Sequence, residues 1–254
     1  MVKRKAADVL PTVILFILAL AVAAPVVVII VLSLSDGVGI YADFFVWNPR
    51  YVNALSNSLI ISFSVSFSTI IVSVLAAYVF AKVKFKGRDV LFYLYIIVMM
   101  MPFQVTVLPQ YIVSRKLDIY DSYFALILPG IFAPFAVFLL TQIMKSLPDE
   151  MIEAARLDTS STIRIIASII VPSIKNGIIC AWAITFTEQW NLVAEPLILI
   201  ESEERLPLSV MLNEIETGDI LGFAAVAVFA CLPFLIYTFF ESEIIEGLEA
   251  YRLK

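Results

Sequence analysis

Long apolar stretches constrain this chain more than any other feature. Each is about as long as a helix that crosses the hydrocarbon core of a bilayer, which needs about 20 residues. They cover residues 10–34, 53–80, 90–108, 124–144, 174–200 and 220–240. Only 15% of the chain is charged, against about 25% in soluble domains, so polar residues could not cover a water-soluble globule. We therefore expect an all-α polytopic membrane protein with one transmembrane domain of six helices.

The first stretch also has features of a secretory signal peptide. It follows the basic residues Lys3, Arg4 and Lys5, as the apolar region of a signal peptide does. At about 25 residues it is longer than a typical apolar region of that kind. Five more stretches also follow it, so we interpret it as the first membrane-spanning helix.

Lys and Arg residues are distributed unevenly between the two sides of the predicted bundle. Six spans place both termini and alternate loops on one side, where 13 of the 17 Lys and Arg residues fall. Such basic loops remain in the cytoplasm. The bias predicts that both termini and the loop 145–172 are cytoplasmic.

The residue types present exclude several kinds of chemistry. The chain has no histidine, which excludes His-ligated metal sites and His-based acid–base catalysis. It lacks the G-x-x-x-x-G-K-[ST] loop that binds nucleotide phosphates and any basic, aromatic-rich cluster typical of nucleic-acid binding. We expect no catalytic residue, no metal or cofactor bound by this chain, and no nucleic-acid partner.

The segment 146–172 lies between the fourth and fifth apolar stretches and reads SLPDEMIEAARLDTSSTIRIIASIIVP. Ser146 is a candidate N-cap, followed by an acidic first turn. We expect a helix that ends near Leu157, because the polar residues 158–161 favour a break and a new cap. The second helix would place three isoleucines on one face: Ile163, Ile166 and Ile170.

Two interpretations of this helical corner remain open from the pattern alone. Just before the corner the first helix carries Glu153, Ala154 and Ala155. The small residues would let another protein approach closely, and Glu153 could form an ion pair with it. The alternative is a hairpin that lies on the membrane surface without a partner, and motif matches of this kind are hypotheses.

The sequence EAARLD at 153–158, followed by Val171 and Pro172, resembles the EAA loop of ABC importer permeases. In that family the loop forms a coupling helix that docks in a groove of a separate ATPase subunit, which binds ATP and Mg²⁺. The resemblance implies ATPase contacts at Glu153, Ala154, Ala155, Arg156 and Asp158. The family usually has glycine after the Asp, whereas this chain has Thr159, which disfavours a positive φ.

Three other segments resemble carbohydrate-uptake permeases of this family, and above all the second, shorter permease subunit of maltose importers. They are Phe186–Asn191 with Glu195-Pro196-Leu197, Asn57-Ser58-Leu59, and Glu246-Gly247-Leu248. The resemblance implies a type I importer fold that forms half of a pathway for a sugar or oligosaccharide, in a bacterial or archaeal cytoplasmic membrane. It implies as partners a second permease subunit, two ATPase subunits and an external solute-binding protein. A non-sugar solute is the main alternative, and a secondary transporter or a membrane scaffold is less favoured.

Polar residues within the apolar stretches are candidates for the substrate pathway. An ionisable group at this depth is costly and usually faces a cavity, a partner or a pathway. The candidates are Glu188, Gln189, Trp190, Asn191 and Gln104. The alternative for each is helix–helix packing with its polar group satisfied across an interface.

The acidic loop 201–219 follows the fifth stretch. By the resemblance it faces the external solute-binding protein, with four candidate contacts: Glu201, Glu203, Glu204 and Pro207. Without the resemblance it is a solvated loop.

Overall fold

The computed structural model describes residues 3–35, 37–215 and 219–252, and this part of the chain is helical without any strand. The principal helices are α1 Lys3–Ser33, α2 Pro49–Lys82, α3 Arg88–Met99, α4 Phe103–Lys116, α5 Tyr123–Gly130, α6 Pro134–Ser146, α7 Asp149–Asp158, α8 Thr162–Ser173, α9 Lys175–Trp190, α10 Ala194–Leu199 and α11 Ile220–Arg252. Short helical turns at Gly39–Ala42, Asp43–Trp47, Glu203–Arg205, Leu208–Met211 and Leu212–Glu214 lie in the loops.

Four of the described helical stretches are long and apolar enough to cross a membrane. They are Pro11–Ser33, Pro49–Lys82, Tyr123–Ser146 and Ile220–Glu249. The pairs α3–α4 and α8–α9 are bent by 97° and 84°, and each pair passes the same test as a unit. Counting each pair as one span gives up to six, so the predicted all-α polytopic fold is confirmed.

Three local predictions are wrong. Helix α4 continues through Pro109 to Lys116, because hydropathy reports the surrounding solvent and not where a backbone helix ends. The fifth stretch is interrupted between Trp190 and Ala194, where α9 gives way to α10. Ser146 closes α6, with its hydroxyl donating to the Ile143 carbonyl at 2.7 Å, and α7 begins after Pro148.

Helix α2 packs in the centre of the bundle through a stripe of small hydroxyl residues. Its buried positions include Ser58, Ser62, Ser66, Thr69 and Ser73. Small residues at such spacings let membrane helices approach closely. The tight packing places α2 against α6 and α9, which carry most of the apolar core.

A hydroxyl of this stripe also stabilises the break between α5 and α6. Pro134 has no N–H to donate to the carbonyl of Gly130, four residues earlier. Thr69 Oγ1 donates to that carbonyl instead, at 3.0 Å. A helix break inside a membrane requires such a replacement, because water cannot satisfy the freed group.

Candidate functional site

Three helix breaks converge on one cavity of about 350 Å³. The breaks are at residues 100–102, 131–133 and 191–193, and each supplies lining residues, including Met101, Phe132 and Leu192. Irregular backbone at membrane depth is tolerated where it is buried in protein or lines a cavity. Pro102 lies at the 97° bend between α3 and α4.

The cavity is lined by polar side chains as well as apolar ones. The polar members are Thr106, Gln110, Glu188, Gln189 and Glu195. The Oε1 atoms of Gln110 and Gln189 are buried, and neither has a hydrogen-bond partner within the described residues. An unpaired buried polar atom costs free energy, and both oxygens belong to side chains that line the cavity.

The predicted pathway residues have different positions. Glu188 and Gln189 line the cavity, whereas Gln104 is exposed and is not among its lining residues. Gln110 lines it instead, together with Thr106 one helical turn earlier. Their spacing of four residues is the signal that would have identified this face of α4, had the helix been extended through Pro109.

Asn191 lies on the other side of α9. Its Nδ2 donates to the Thr187 carbonyl at 2.8 Å. Both residues line a second, largely apolar pocket of about 450 Å³ between α9 and α11. Glu188 borders this pocket as well, so the end of α9 separates the two spaces.

The prediction that Trp190 contacts the pathway is wrong for this subunit, because the residue is only 1% exposed. Its ring stacks between Phe186 and Phe229, with centroid distances of 5.5 and 5.1 Å. Its Nε1 donates to the Phe229 carbonyl at 3.0 Å. Pro233 cannot donate to that carbonyl, so Trp190 stabilises the interrupted part of α11.

Lys82 at the C-terminal end of α2 holds the start of α7. Its Nζ donates to the Leu147 carbonyl at 2.6 Å and to Asp149 Oδ1 at 2.7 Å. The Lys82 side chain is only 4% exposed, although that of Asp149 is largely in solvent. The hydrogen bond from Lys82 lowers the pKa of the Asp149 carboxyl.

The EAA-like residues of α7 face in two directions. Glu153, Ala154, Arg156 and Asp158 are exposed. Ala155 is only 5% exposed and packs in the core with Ile152 and Ile165, so the prediction that it contacts a partner is wrong for this conformation. Leu157, which the sequence did not single out as a contact, is 90% exposed.

The corner after α7 has extended backbone. Thr159 has φ −152° and ψ 139°, a conformation that suits a β-branched residue, so the corner does not require the family's glycine. As predicted, a polar residue caps the second helix, because Ser161 Oγ accepts from the Arg164 N–H at 3.4 Å. The predicted isoleucine face is partly wrong, since Ile166 and Ile170 are buried but Ile163 is exposed.

At the other end of α2, Asn57 and Ser58 hold the loop that follows α10. Asn57 Nδ2 donates to the carbonyls of Glu204 and Leu206 at 2.8 and 3.0 Å. Ser58 Oγ accepts from the Leu208 N–H at 2.8 Å. Both residues are buried, which gives a physical reason for a motif that the sequence offered only as a resemblance.

Asp121 forms the second anchor of this loop. Its carboxylate accepts from the N–H groups of Glu201 and Ser202, from Ser202 Oγ at 2.5 Å and from Arg205 Nη1 at 2.9 Å. The hydrogen bond from the Ser202 hydroxyl is the main cause of a lowered pKa of this carboxyl. We call residues 121 and 201–205 the Asp121 knot.

The four predicted binding-protein contacts differ in their exposure. Glu201, Glu203 and Glu204 are exposed. Pro207 is buried, so the prediction of a contact there is wrong for this conformation. Residues 216–218 of the predicted loop lie outside the described residues.

Broken membrane helices around a polar cavity, with an exposed helical corner on one side and a knotted loop on the other, define a multi-pass membrane transport subunit. Residues 69–246 match the family described as binding-protein-dependent transport system inner membrane component. The chain belongs to this family, which confirms the resemblance to ABC importer permeases. It is a transport subunit and not an enzyme, and ATP hydrolysis belongs to a separate subunit.

Curated relatives agree with this assignment. The chain is 35% identical over 218 residues to the putative ABC transporter permease protein ORF2 of Caldicellulosiruptor sp. (strain Rt8B.4), covering 84% of this chain and 77% of the relative. It is 31% identical over 220 residues to the arabinooligosaccharides transport system permease protein AraQ of Bacillus subtilis (strain 168), covering 84% and 78%. Identity is 36% over 146 residues to the sn-glycerol-3-phosphate transport system permease protein UgpE of Escherichia coli (strain K12), covering 58% and 52%.

A solved structure shares the fold. It is described as a bacterial ABC transporter involved in the import of the acidic polysaccharide alginate. The TM-score is 0.84 at 17% identity, and the match covers 95% of this chain and 98% of that one. At this identity the likeness shows the fold alone.

Proposed function

We propose that this chain is one of two permease subunits of an ATP-driven importer and forms half of the translocation pathway for a sugar or oligosaccharide. The observation that carries the proposal is the convergence of three helix breaks on a polar cavity. Discontinuous helices at mid-membrane depth are a common way to build a substrate site in transporters. The relative AraQ is named as a permease for arabinooligosaccharides, which supports a carbohydrate as the solute.

The exposed corner of α7 is the proposed docking surface for an ATPase subunit. Glu153, Arg156 and Asp158 offer charges, Ala154 permits close approach, and Leu157 offers an apolar anchor. The Leu157 side chain is 90% exposed, and covering it with an ATPase groove would remove apolar surface from water. The Lys and Arg bias supports a cytoplasmic position for this corner and for both termini.

The proposed mechanism is alternating access. ATP, bound with Mg²⁺ by two partner ATPase subunits, changes their relative position, and α7 moves with the groove that holds it. The helix bundle then exchanges between inward-facing and outward-facing states, because nucleotide stabilises one of the two conformations. On the external side, Glu201, Glu203 and Glu204 of the knotted loop are the proposed contacts for a solute-binding protein.

Two substitutions in α7 test the docking surface. Glu153→Lys and Leu157→Asp should each reduce co-purification of the ATPase subunits and reduce ATP-dependent uptake into proteoliposomes. Glu150→Lys is the matched control, because Glu150 is exposed on the first turn of the same helix and outside the EAA-like segment. Normal assembly and uptake in both variants would contradict the proposal.

A further inference from the structure

The charges that face the cavity are all of one sign. Among the described residues that line it, Glu188 and Glu195 are the charged ones, and no Lys or Arg is present. They lie on either side of the break between α9 and α10. An ionised carboxyl group carries a negative charge and only accepts hydrogen bonds, whereas a protonated one also donates one.

The uncharged polar groups include the amides of Gln110 and Gln189, which can both donate and accept hydrogen bonds. The Oε1 atoms of Gln110 and Gln189 have no partner within the described part of the chain. Thr106 Oγ1 already donates its proton to the Phe103 carbonyl at 3.0 Å, so only its lone pairs remain for a solute. A sugar hydroxyl both donates and accepts hydrogen bonds, so uncharged groups of this kind suit a molecule rich in hydroxyl groups.

The basic residues of α4 do not add a positive charge to the cavity. Arg115 stacks its guanidinium on the Tyr120 ring, 3.6 Å from the centroid, and its Nε donates to the Tyr111 hydroxyl at 3.2 Å. Neither Arg115 nor Lys116 lines the cavity. Sites that bind phosphate or carboxylate groups ordinarily supply a positively charged Arg or Lys.

We infer that the solute carried past this subunit is a neutral or positively charged polyhydroxylated compound, and that Glu188 and Glu195 weaken the binding of anionic solutes. This inference rests on the proposed function and narrows its substrate class. The inferred solute class differs from the solutes named for two of the proteins that the chain matches. Those solutes, glycerol 3-phosphate and alginate, are anionic. Repulsion between like charges a few ångströms apart at a protein surface corresponds to on the order of a tenfold difference in binding.

The test measures binding to the complete transporter, both permeases and the ATPase subunits, in nanodiscs without the solute-binding protein. The probes are a neutral pentose trisaccharide, a uronate trisaccharide and glycerol 3-phosphate. We expect the wild type to bind the neutral probe at least about tenfold more tightly than either anion. Glu188→Gln and Glu195→Gln should each reduce that preference severalfold. Glu241→Gln is the control, because Glu241 is exposed on α11 and does not line the cavity.

The outcomes separate the inference from the proposed function. Equal binding of neutral and anionic probes by the wild type, binding of no probe, or an unchanged preference in both Gln variants would each overturn the inference. ATP-dependent uptake into proteoliposomes that contain the solute-binding protein is measured in parallel. Uptake of an anionic probe would contradict the inferred substrate class but not the proposed importer function. Absence of ATP-dependent uptake of every probe would contradict the importer function itself.

Discussion

Trp190 is important for the fold because of a proline on another helix. Its indole N–H bonds the carbonyl that Pro233 leaves free, at 3.0 Å. Trp190→Phe keeps an aromatic ring in the stack but removes this donor, so we expect a loss of about 1–3 kcal/mol of stability. Thermal unfolding of the purified complex measures the loss.

Trp182 provides a matched control for that substitution. It belongs to the same helix and stacks on Phe186 at a centroid distance of 5.6 Å. Its Nε1 is buried but has no partner within the described residues, so Trp182→Phe removes no hydrogen bond. Equal destabilisation by the two substitutions would contradict the role assigned to the Trp190 N–H.

Gly247 permits a close approach between α11 and α9. A Cβ at this position would lie 2.8 Å from the Asn176 carbonyl oxygen and 2.7 Å from Cys180 Cβ. The carbonyl is backbone and cannot rotate away, so Gly247→Ala should separate the helices and cost about 1–3 kcal/mol. Gly39→Ala is the control, because a Cβ there meets no described atom within 4 Å. Comparable melting temperatures for the two variants would count against the close approach.

At the scale of elements, the hydrogen bonds of the Asp121 knot predict that the stability of the loop 201–205 depends on pH. Hydrogen bonds in the folded loop, first that from the Ser202 hydroxyl, lower the pKa of the Asp121 carboxyl. The stabilisation is therefore complete above the pKa of the unfolded chain, about 3.9. It is lost as pH falls through the lower folded pKa.

Hydrogen exchange measures this dependence, after correction for the intrinsic effect of pH on exchange rates. Protection of the amides of residues 201–206 should fall as the carboxyl is protonated. In Asp121→Asn, protection should be weaker and should not respond to pH in this range. A wild-type loop with constant protection through acid conditions would show that the knot does not depend on the carboxylate.

Elements were predictable from the sequence where solvent decides the pattern. The apolar stretches identified the membrane helices because every residue facing lipid must be apolar. The same reasoning could not locate the interruption after Trp190 or the continuation of α4 through Pro109, because both are decided by packing and backbone hydrogen bonds.

The candidate site was likewise predictable only where solvent, and not packing, decides which residues are present. Burial cost marked Glu188 and Gln189 as pathway candidates, and both line the cavity, but it could not distinguish them from Trp190 on the packed face of the same helix. Only the contact with Phe229 on α11 makes that distinction. A partner carbonyl from a distant segment leaves no trace in the local sequence of α9.

At the scale of the whole molecule, one helix is bonded to both candidate docking regions. Helix α2 has 34 residues, which corresponds to about 50 Å. Its N-terminal part holds the loop after α10 through Asn57 and Ser58, and its C-terminal end holds the start of α7 through Lys82. We expect a displacement of the loop to reach α7 through this single continuous element.

Lys82→Met tests this link, because methionine keeps an apolar stem but cannot bond the Leu147 carbonyl or Asp149. We expect the complex to assemble with the ATPase subunits, while the stimulation of ATP hydrolysis by the solute-binding protein falls severalfold. Asn57→Ala at the other end of α2 should produce the same uncoupling. Lys86→Met, an exposed position in the loop after α2, is the control and should retain full stimulation. If Lys82→Met retains full stimulation as well, α2 does not carry the coupling between the two sides.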